Sequence, residues 1–490
     1  MSEAVSGQSV AEGGFGARGR IAGLVLGPAL ALILALIGPP EGLSGEAWVT
    51  VCLLTLMIVW WVTEAIPISA TALLPLAVLP LLGVATPAEA AGPYADPILF
   101  LFIAGFMIGA AIERWNLHAR IALNIATRTG PRPAALIGGF VLAAGLMSMW
   151  ISNTATALML TPIAVGVVKA VEVQGEPDPV LAAGLVLAVA YAASIGGMGT
   201  PVGSPTNLIA MAYLNERGIE LSFAKWMMLG VPVVALLLPA CWFLLTRGLR
   251  TSTAEDAERG RAVLRAAKDE LGPMSRAEQR VLAVFLLVAA AWMLRDLLTR
   301  IPALERLSDM GIAVMGAIAL FLIPSGADKA RPRLLDWTAA ERIPWGIVIL
   351  FGGGLSVAGA MEATGLSDWL AEAMGGLGTL DGLLIIAALL LVTLIATEAM
   401  SNVATLTAML PIVGAFAVAL GTNPLLLVFP VSIAASLGFM LPIATGPNAI
   451  GYATGRAPLR RMLRIGFMLN MIGIAAILLV NATLAPAVLG

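Results

Sequence analysis

The chain has 490 residues, 59% hydrophobic and only 12% charged, with a formal net charge of −2 and one histidine. Soluble domains carry about 25% charged residues, so the composition excludes a soluble protein and describes a polytopic membrane protein. The near-neutral balance offers no basic face for nucleic acid. A single histidine excludes a histidine relay. Cys52 and Cys241 lie in apolar segments and read as reduced, unpaired hydrophobes.

Residues 1–21 are polar and Gly/Ser-rich, lack the short apolar core of a signal peptide, and are expected to form a disordered cytoplasmic N-terminus. A span needs about 20 apolar residues. Eleven candidates follow, near 22–39, 48–66, 68–84, 97–113, 180–200, 226–246, 279–298, 307–324, 343–362, 424–443 and 463–487. Two further apolar stretches, 134–168 and 382–420, are too long for simple spans. Each is interrupted midway by a Ser-Asn pair, "WISNTATA" from Trp150 and "MSNVATL" from Met400, and is read as a re-entrant hairpin.

Basic residues cluster at 18–20, 114–132, 247–280, 329–342 and 456–464. Eleven spans with the N-terminus inside place all five clusters in the cytoplasm and the C-terminus outside, provided each hairpin returns to its own side. Arg217, Lys225, Arg295, Arg300 and Arg306 are exceptions.

The chain repeats itself. At an offset of 249, Phe102, Gly105, Glu113 and Leu117 fall on Phe351, Gly354, Glu362 and Leu366. Ser152, Asn153, Ala155 and Pro162 fall on Ser401, Asn402, Ala404 and Pro411. Later the offset slips to 242 and 241, where Ser194 matches Ser436, Met198 matches Met440 and Asn207 matches Asn448. Five crossings separate equivalent points, and an odd number inverts the second copy. Inverted repeats are a plan of secondary transporters, with substrate held where broken helices meet.

Unwound backbone survives at membrane depth only against protein or a wet cavity. Four such stretches pair up: "SMWISNT" (148–154) with "GGMGTPVGSPTN" (196–207), and "TEAMSNV" (397–403) with "GFMLPIATGPN" (438–448). Glycine and proline are expected to stop the helices after Met198 and Met440. Free N–H groups at one tip suit an anion. Free C=O groups with Ser and Asn oxygens suit a small hard cation such as Na⁺. Two repeats then supply two cation sites flanking one anion. Glu398 is the only charged residue between Asp381 and Arg456, and none lies between Arg132 and Lys169. A dianion must therefore be balanced by helix dipoles and bound cations.

At these residues the chain resembles the divalent-anion:sodium symporter family of di- and tricarboxylate transporters. The resemblance covers 48–488 and includes "WWVTEAIPISATALLPL", "GFMIGAAIERWNLHARIAL" and all four broken segments. It implies an all-α homodimer of the elevator type, with eleven transmembrane helices and two hairpins. The scaffold would be 22–133 and 279–380. The transport part would be 134–250 and 381–490, with a cytoplasmic linker at 251–278. The resemblance places a first Na⁺ at Ser148, Ser152, Asn153 and the Gly203 carbonyl. It places a second at Thr397, the Met400 carbonyl, Asn402 and the Ala444 carbonyl. Substrate carboxylates would meet Asn153, Thr154, Ser204, Asn402, Val403 and Thr445. Val403 stands where many members have Thr, which removes a hydroxyl. Gly446 stands where Pro is common, which is expected to loosen that loop.

The other polar residues read more plainly. Glu64, Glu113, Glu362 and Glu398 are intramembrane acids; Glu64 and Glu113 sit at predicted span ends and suit interfacial or scaffold pairing rather than proton relay, while Glu398 neighbours the second motif, where a structural bond and a functional role are both open. His118 reads as a solvated interface residue. Trp60, Trp61, Trp115, Trp150, Trp226 and Trp345 read mostly as interface anchors, and Gly352–Gly354 as helix packing.

The expectation is an inner-membrane symporter, not an enzyme, importing a C4-dicarboxylate (succinate, malate or fumarate) with Na⁺ and no organic cofactor. A sodium-independent dicarboxylate exchanger, or a citrate or sulfate carrier of the same fold, is the alternative.

Overall fold

A computed structural model of the protein describes residues 17–130, 132–172, 178–249, 254–326, 330–373 and 382–489. Residues 1–16 of the expected disordered terminus, 251–253 of the linker and 374–381 at the expected scaffold–transport boundary lie outside them. Among the described residues the chain is all-helical, with one isolated bridge between Pro324 and Arg333 and no strand.

Ten helices among the described residues are long and apolar enough to cross a membrane. Each long interrupted stretch becomes two helices, Pro133–Ser148 with Asn153–Glu172 and Gly382–Ala399 with Asn402–Ala419. The helix Ala17–Ile37 begins inside the stretch expected to be disordered, where Arg20 reaches Glu64 at 3.8 Å. The expected span 68–84 is split into Ile68–Thr71 and Leu74–Leu81, with a proline starting the second piece. The expected span 424–443 is helical only over Leu425–Ala434, so its helix ends six residues before the Met440 stop. The first copy obeys its expected stop, since Pro179–Gly197 ends at Met198.

The repeat survives in the helix starts. Pro133 and Gly382 differ by 249, as do Asn153 and Asn402, and Pro205 and Gly446 differ by 241.

The chain packs as two compact units. One comprises Met1–Phe100, Leu208–Leu221 and Pro344–Ala435. Here Gly352 and Gly353 let the helix Trp345–Ala363 meet the Tyr94 ring and the Ala72 backbone, where any Cβ would collide. The triple glycine is helix packing, as expected. Arg217 pairs with Glu362 at 3.4 Å and lies over the Tyr213 ring at 3.7 Å.

The other unit comprises Leu101–Asn207, Ser222–Ile343 and Ser436–Gly490. Its centre is the helix Pro179–Gly197, buried throughout from Leu181 onward. A side chain at Gly196 would collide with the Gly145 carbonyl, so small residues let two backbones touch, as in membrane interiors generally. Within the expected linker, the helix Ala254–Glu270 is followed by a capping box of Ser275 and Glu278. Arg120 seals that junction. Its Nε donates to Glu278 at 2.7 Å and its guanidinium to the carbonyls of Leu271 and Gly272 at 3.1 and 2.9 Å.

Three polar and aromatic expectations need correcting. His118 is not a solvated interface residue. It is 9% exposed, with Nδ1 3.3 Å from the Ile112 carbonyl. Trp226 is fully buried and donates to the Met198 carbonyl at 3.2 Å, and Trp61 is buried against the Ile68 carbonyl at 3.2 Å. In both, the indole N–H satisfies a backbone carbonyl inside the protein rather than a headgroup.

Burial lowers the His118 pKa, opposed by its contact with the Ile112 carbonyl. The fold therefore holds the neutral ring. The stability this contributes is present above the ordinary value of about 6.5 and is lost as pH falls through the lowered folded value. His118→Gln should flatten the fall in thermal stability that wild type shows below about pH 6.5. Identical profiles would contradict this.

Candidate cation and anion sites

Ser152 caps the helix Asn153–Glu172 by accepting from the Ala155 N–H at 3.2 Å. Ser401 caps Asn402–Ala419 by accepting from the Ala404 N–H at the same distance. These caps hold each Ser-Asn pair at the start of a helix whose first N–H groups lack intrahelical partners. Such tips stabilise negative charge. Val403 lacks the hydroxyl of the related Thr154, yet its first-turn N–H remains a donor.

In the first copy, four oxygens converge. The Asn153 Oδ1 lies 2.6 Å from Ser148 Oγ, and the same position is 3.1 Å from the Ala193 carbonyl and 3.2 Å from the Gly203 carbonyl. Ser148 is fully buried, and its hydroxyl is the only hydrogen donor among these four oxygens. Turned over, the amide would donate its N–H groups to all three neighbours. Asn153 can thus satisfy the carbonyls by itself or present its oxygen with them to a cation. Gly197 makes this possible, because a Cβ there would collide with the Asn153 amide.

The unwound loop is pinned on its far side. Thr200 Oγ1 donates to the Met149 carbonyl and accepts from the Gly203 N–H at 3.1 Å. Trp150 stacks on Phe223 at 6.1 Å and meets Phe285 edge-on at 4.9 Å.

In the second copy, Thr397 Oγ1 lies 3.0 Å from Asn402 Oδ1 and 2.5 Å from the Ala435 carbonyl. One hydroxyl hydrogen serves two acceptors. Acceptors again outnumber donors in a dry place, since Thr397 is fully buried. The Met400 carbonyl belongs to the same unit, just past the end of the helix Gly382–Ala399.

The carbonyls of Ala193 and Ala435 were not singled out from sequence. Their signal was present, because the offset of 242 that pairs Ser194 with Ser436 also pairs these two alanines.

The remaining expected residues are distributed unevenly. Thr154, Ser204, Ala444 and Thr445 lie in the same unit as Asn153; Asn402 and Val403 lie in the other. Thr154 is exposed. Thr445 caps the helix Gly446–Ala453 by accepting from the Asn448 N–H at 3.2 Å, which leaves its own hydrogen to donate. Gly446 does not loosen a loop; it opens that helix, ahead of Pro447. A Cβ on it would lie 2.6 Å from Thr154 Oγ1, so its absence lets Thr154 pack against the start of this helix. Ser204 is 2% exposed, and its Oγ is taken up with Thr206 Oγ1 at 2.8 Å, which in turn meets Ser436 Oγ at 3.0 Å.

Among the described residues the all-helical chain has ten apolar helices, with polar breaks set inside apolar stretches, the architecture of a multi-pass membrane protein. The model of the sodium:sulfate symporter transmembrane region matches residues 19–489, and the chain belongs to that family, the divalent-anion:sodium symporters. It is 38% identical over 96% of its length to the sodium-dependent dicarboxylate transporter SdcS of Staphylococcus saprophyticus, covering 92% of that protein. It is 38% identical to SdcS of Staphylococcus aureus strain RF122 over the same shares. Two solved structures share its fold. The YdaH transporter of Alcanivorax borkumensis matches with a TM-score of 0.57 at 12% identity, over 96% of this chain and 98% of that one. The antimetabolite efflux pump MtrF of Neisseria gonorrhoeae matches with 0.59 at 13%, over 93% and 97%.

Proposed function

We propose that the protein is a sodium-coupled symporter that imports C4-dicarboxylates such as succinate, malate and fumarate across a bacterial inner membrane. The observation that carries this reading is the convergence, in both copies, of a buried hydroxyl, an asparagine amide and backbone carbonyls beside a broken helix. Ser148, Asn153, Ala193 and Gly203 form one cluster, and Thr397, Asn402 and Ala435 the other. Uncharged oxygens gathered in this way suit a small hard cation. The family description names sulfate, but relatives at 38% identity are named for dicarboxylates, which supports the carboxylate.

In this reading Ser148, Ser152, Asn153 and the Gly203 carbonyl take the first Na⁺. Thr397, the Met400 carbonyl, Asn402 and the Ala444 carbonyl take the second. Asn153, Thr154, Ser204, Asn402, Val403 and Thr445 serve the carboxylates. Ser204 would do so through its backbone, because its hydroxyl is engaged. With no arginine in either motif, the dianion depends on Na⁺ and helix N-termini for its counter-charge, and that dependence is the coupling.

The proposal keeps the inverted repeats, eleven spans, an inside N-terminus and outside C-terminus, a homodimer, and an elevator with its scaffold at 22–133 and 279–380. Vesicles preloaded with succinate test symport against exchange. Symport predicts no stimulation of uptake by internal succinate in sodium-free buffer. Strong trans-stimulation there would favour the sodium-independent exchanger.

A further inference from the structure

Two asparagines outside every assignment above hold matching places in the repeat. Asn207 and Asn448 are both fully buried. Asn207 Nδ2 donates to the carbonyls of Gly197 and Thr200, at 2.8 and 2.7 Å. Asn448 Nδ2 donates to those of Gly438 and Leu441, at 2.8 and 3.0 Å. An offset of 241 carries the donor and both acceptors of the first set onto the second.

Each amide has two hydrogens and uses both on unwound backbone. The acceptors are not arbitrary. The Thr200 carbonyl also accepts from the Gly203 N–H at 3.2 Å, and the Leu441 carbonyl from the Ala444 N–H at 3.3 Å. Each asparagine therefore grips the first residue of a four-residue turn, 200–203 or 441–444. The last residue of that turn is the one whose carbonyl is proposed to face Na⁺. Gly197, the other acceptor in the first copy, is the residue whose missing Cβ admits the Asn153 amide.

We propose that Asn207 and Asn448 are positioning residues of the two cation sites, each clamping the turn that aims the Gly203 or the Ala444 carbonyl. This rests on the sodium reading above. Neither side chain need touch the ion. Groups that orient a ligand from behind typically govern metal affinity by 10–100-fold.

A purely structural asparagine would also be buried and bonded, so the test must read sodium itself. The full-length protein in proteoliposomes, carrying Asn207→Leu or Asn448→Leu, should show a sodium half-saturation for succinate uptake raised about tenfold or more. Its Hill coefficient for Na⁺ should fall toward one, because the other site is spared. In detergent, the rise in melting temperature on adding Na⁺ should shrink. Ser356→Ala serves as control; it removes a buried bond to the Ala90 carbonyl, 2.9 Å long and in neither motif. It should lower the melting temperature and leave sodium half-saturation unchanged. If a leucine variant fails to fold, Asn207→Ser and Asn448→Ser, which keep one donor, carry the same test. Sodium-dependent wild type beside variants of unchanged half-saturation overturns the positioning role alone. Wild-type uptake indifferent to Na⁺ overturns the sodium reading and this role together.

Discussion

Gly203→Ala is expected to lower sodium-driven uptake at least about a hundredfold while the protein still folds. Loss of a group behind a metal ligand already costs 10–100-fold, and this change moves a proposed ligand. A Cβ at 203 would lie 2.7 Å from the Gly197 carbonyl and 3.0 Å from the Ser148 carbonyl. Both are backbone, so neither can swing away as a flexible side chain would. The turn must shift, and it carries with it the Gly203 carbonyl that lies 3.2 Å from the Asn153 amide. Radiolabelled succinate uptake, with monodispersity on size exclusion as the folding check, measures this. Uptake within about threefold of wild type would show that the Gly203 carbonyl is no ligand, since even an outer partner is worth more.

Asn153→Ala and Asn402→Ala are each expected to abolish uptake. Each asparagine stands in two proposed roles, cation and carboxylate, so its removal strikes both ligands at once. In the first copy the loss also strands the buried Ser148 hydroxyl at 2.6 Å, and in the second it removes one of the two acceptors on Thr397. The caps are untouched, because Ser152 and Ser401 bind the N–H groups of Ala155 and Ala404. Folding should therefore persist, and thermal unfolding checks it. Normal uptake by both variants would remove the motifs from the mechanism.

The Ser-Asn breaks were legible because three adjacent polar residues in an apolar run have few resolutions, and a helix cap is the cheapest. Their recurrence at one offset turned a local oddity into a paired site. The stop after Met198 was legible from glycine and proline. The matching stop at Met440 was not: that helix ends at Ala434, and the next carbonyl, of Ala435, is taken by Thr397 Oγ1 at 2.5 Å. Such competition for backbone groups is tertiary and leaves no local mark. His118 and Trp226 were misread for the same reason: each side chain is as compatible with an interface as with the interior, and only the packed neighbours decide. Gly446 looked like slack in a loop, whereas its missing side chain is space used by Thr154.

The most direct test of sodium-coupled dicarboxylate import is radiolabelled succinate uptake into proteoliposomes under an inward Na⁺ gradient, compared with an equal K⁺ gradient. Two clusters of converging hydroxyl, amide and carbonyl oxygens predict uptake with Na⁺ and none above background with K⁺. Equal uptake under both gradients would contradict the account and move the protein to exchange or proton coupling.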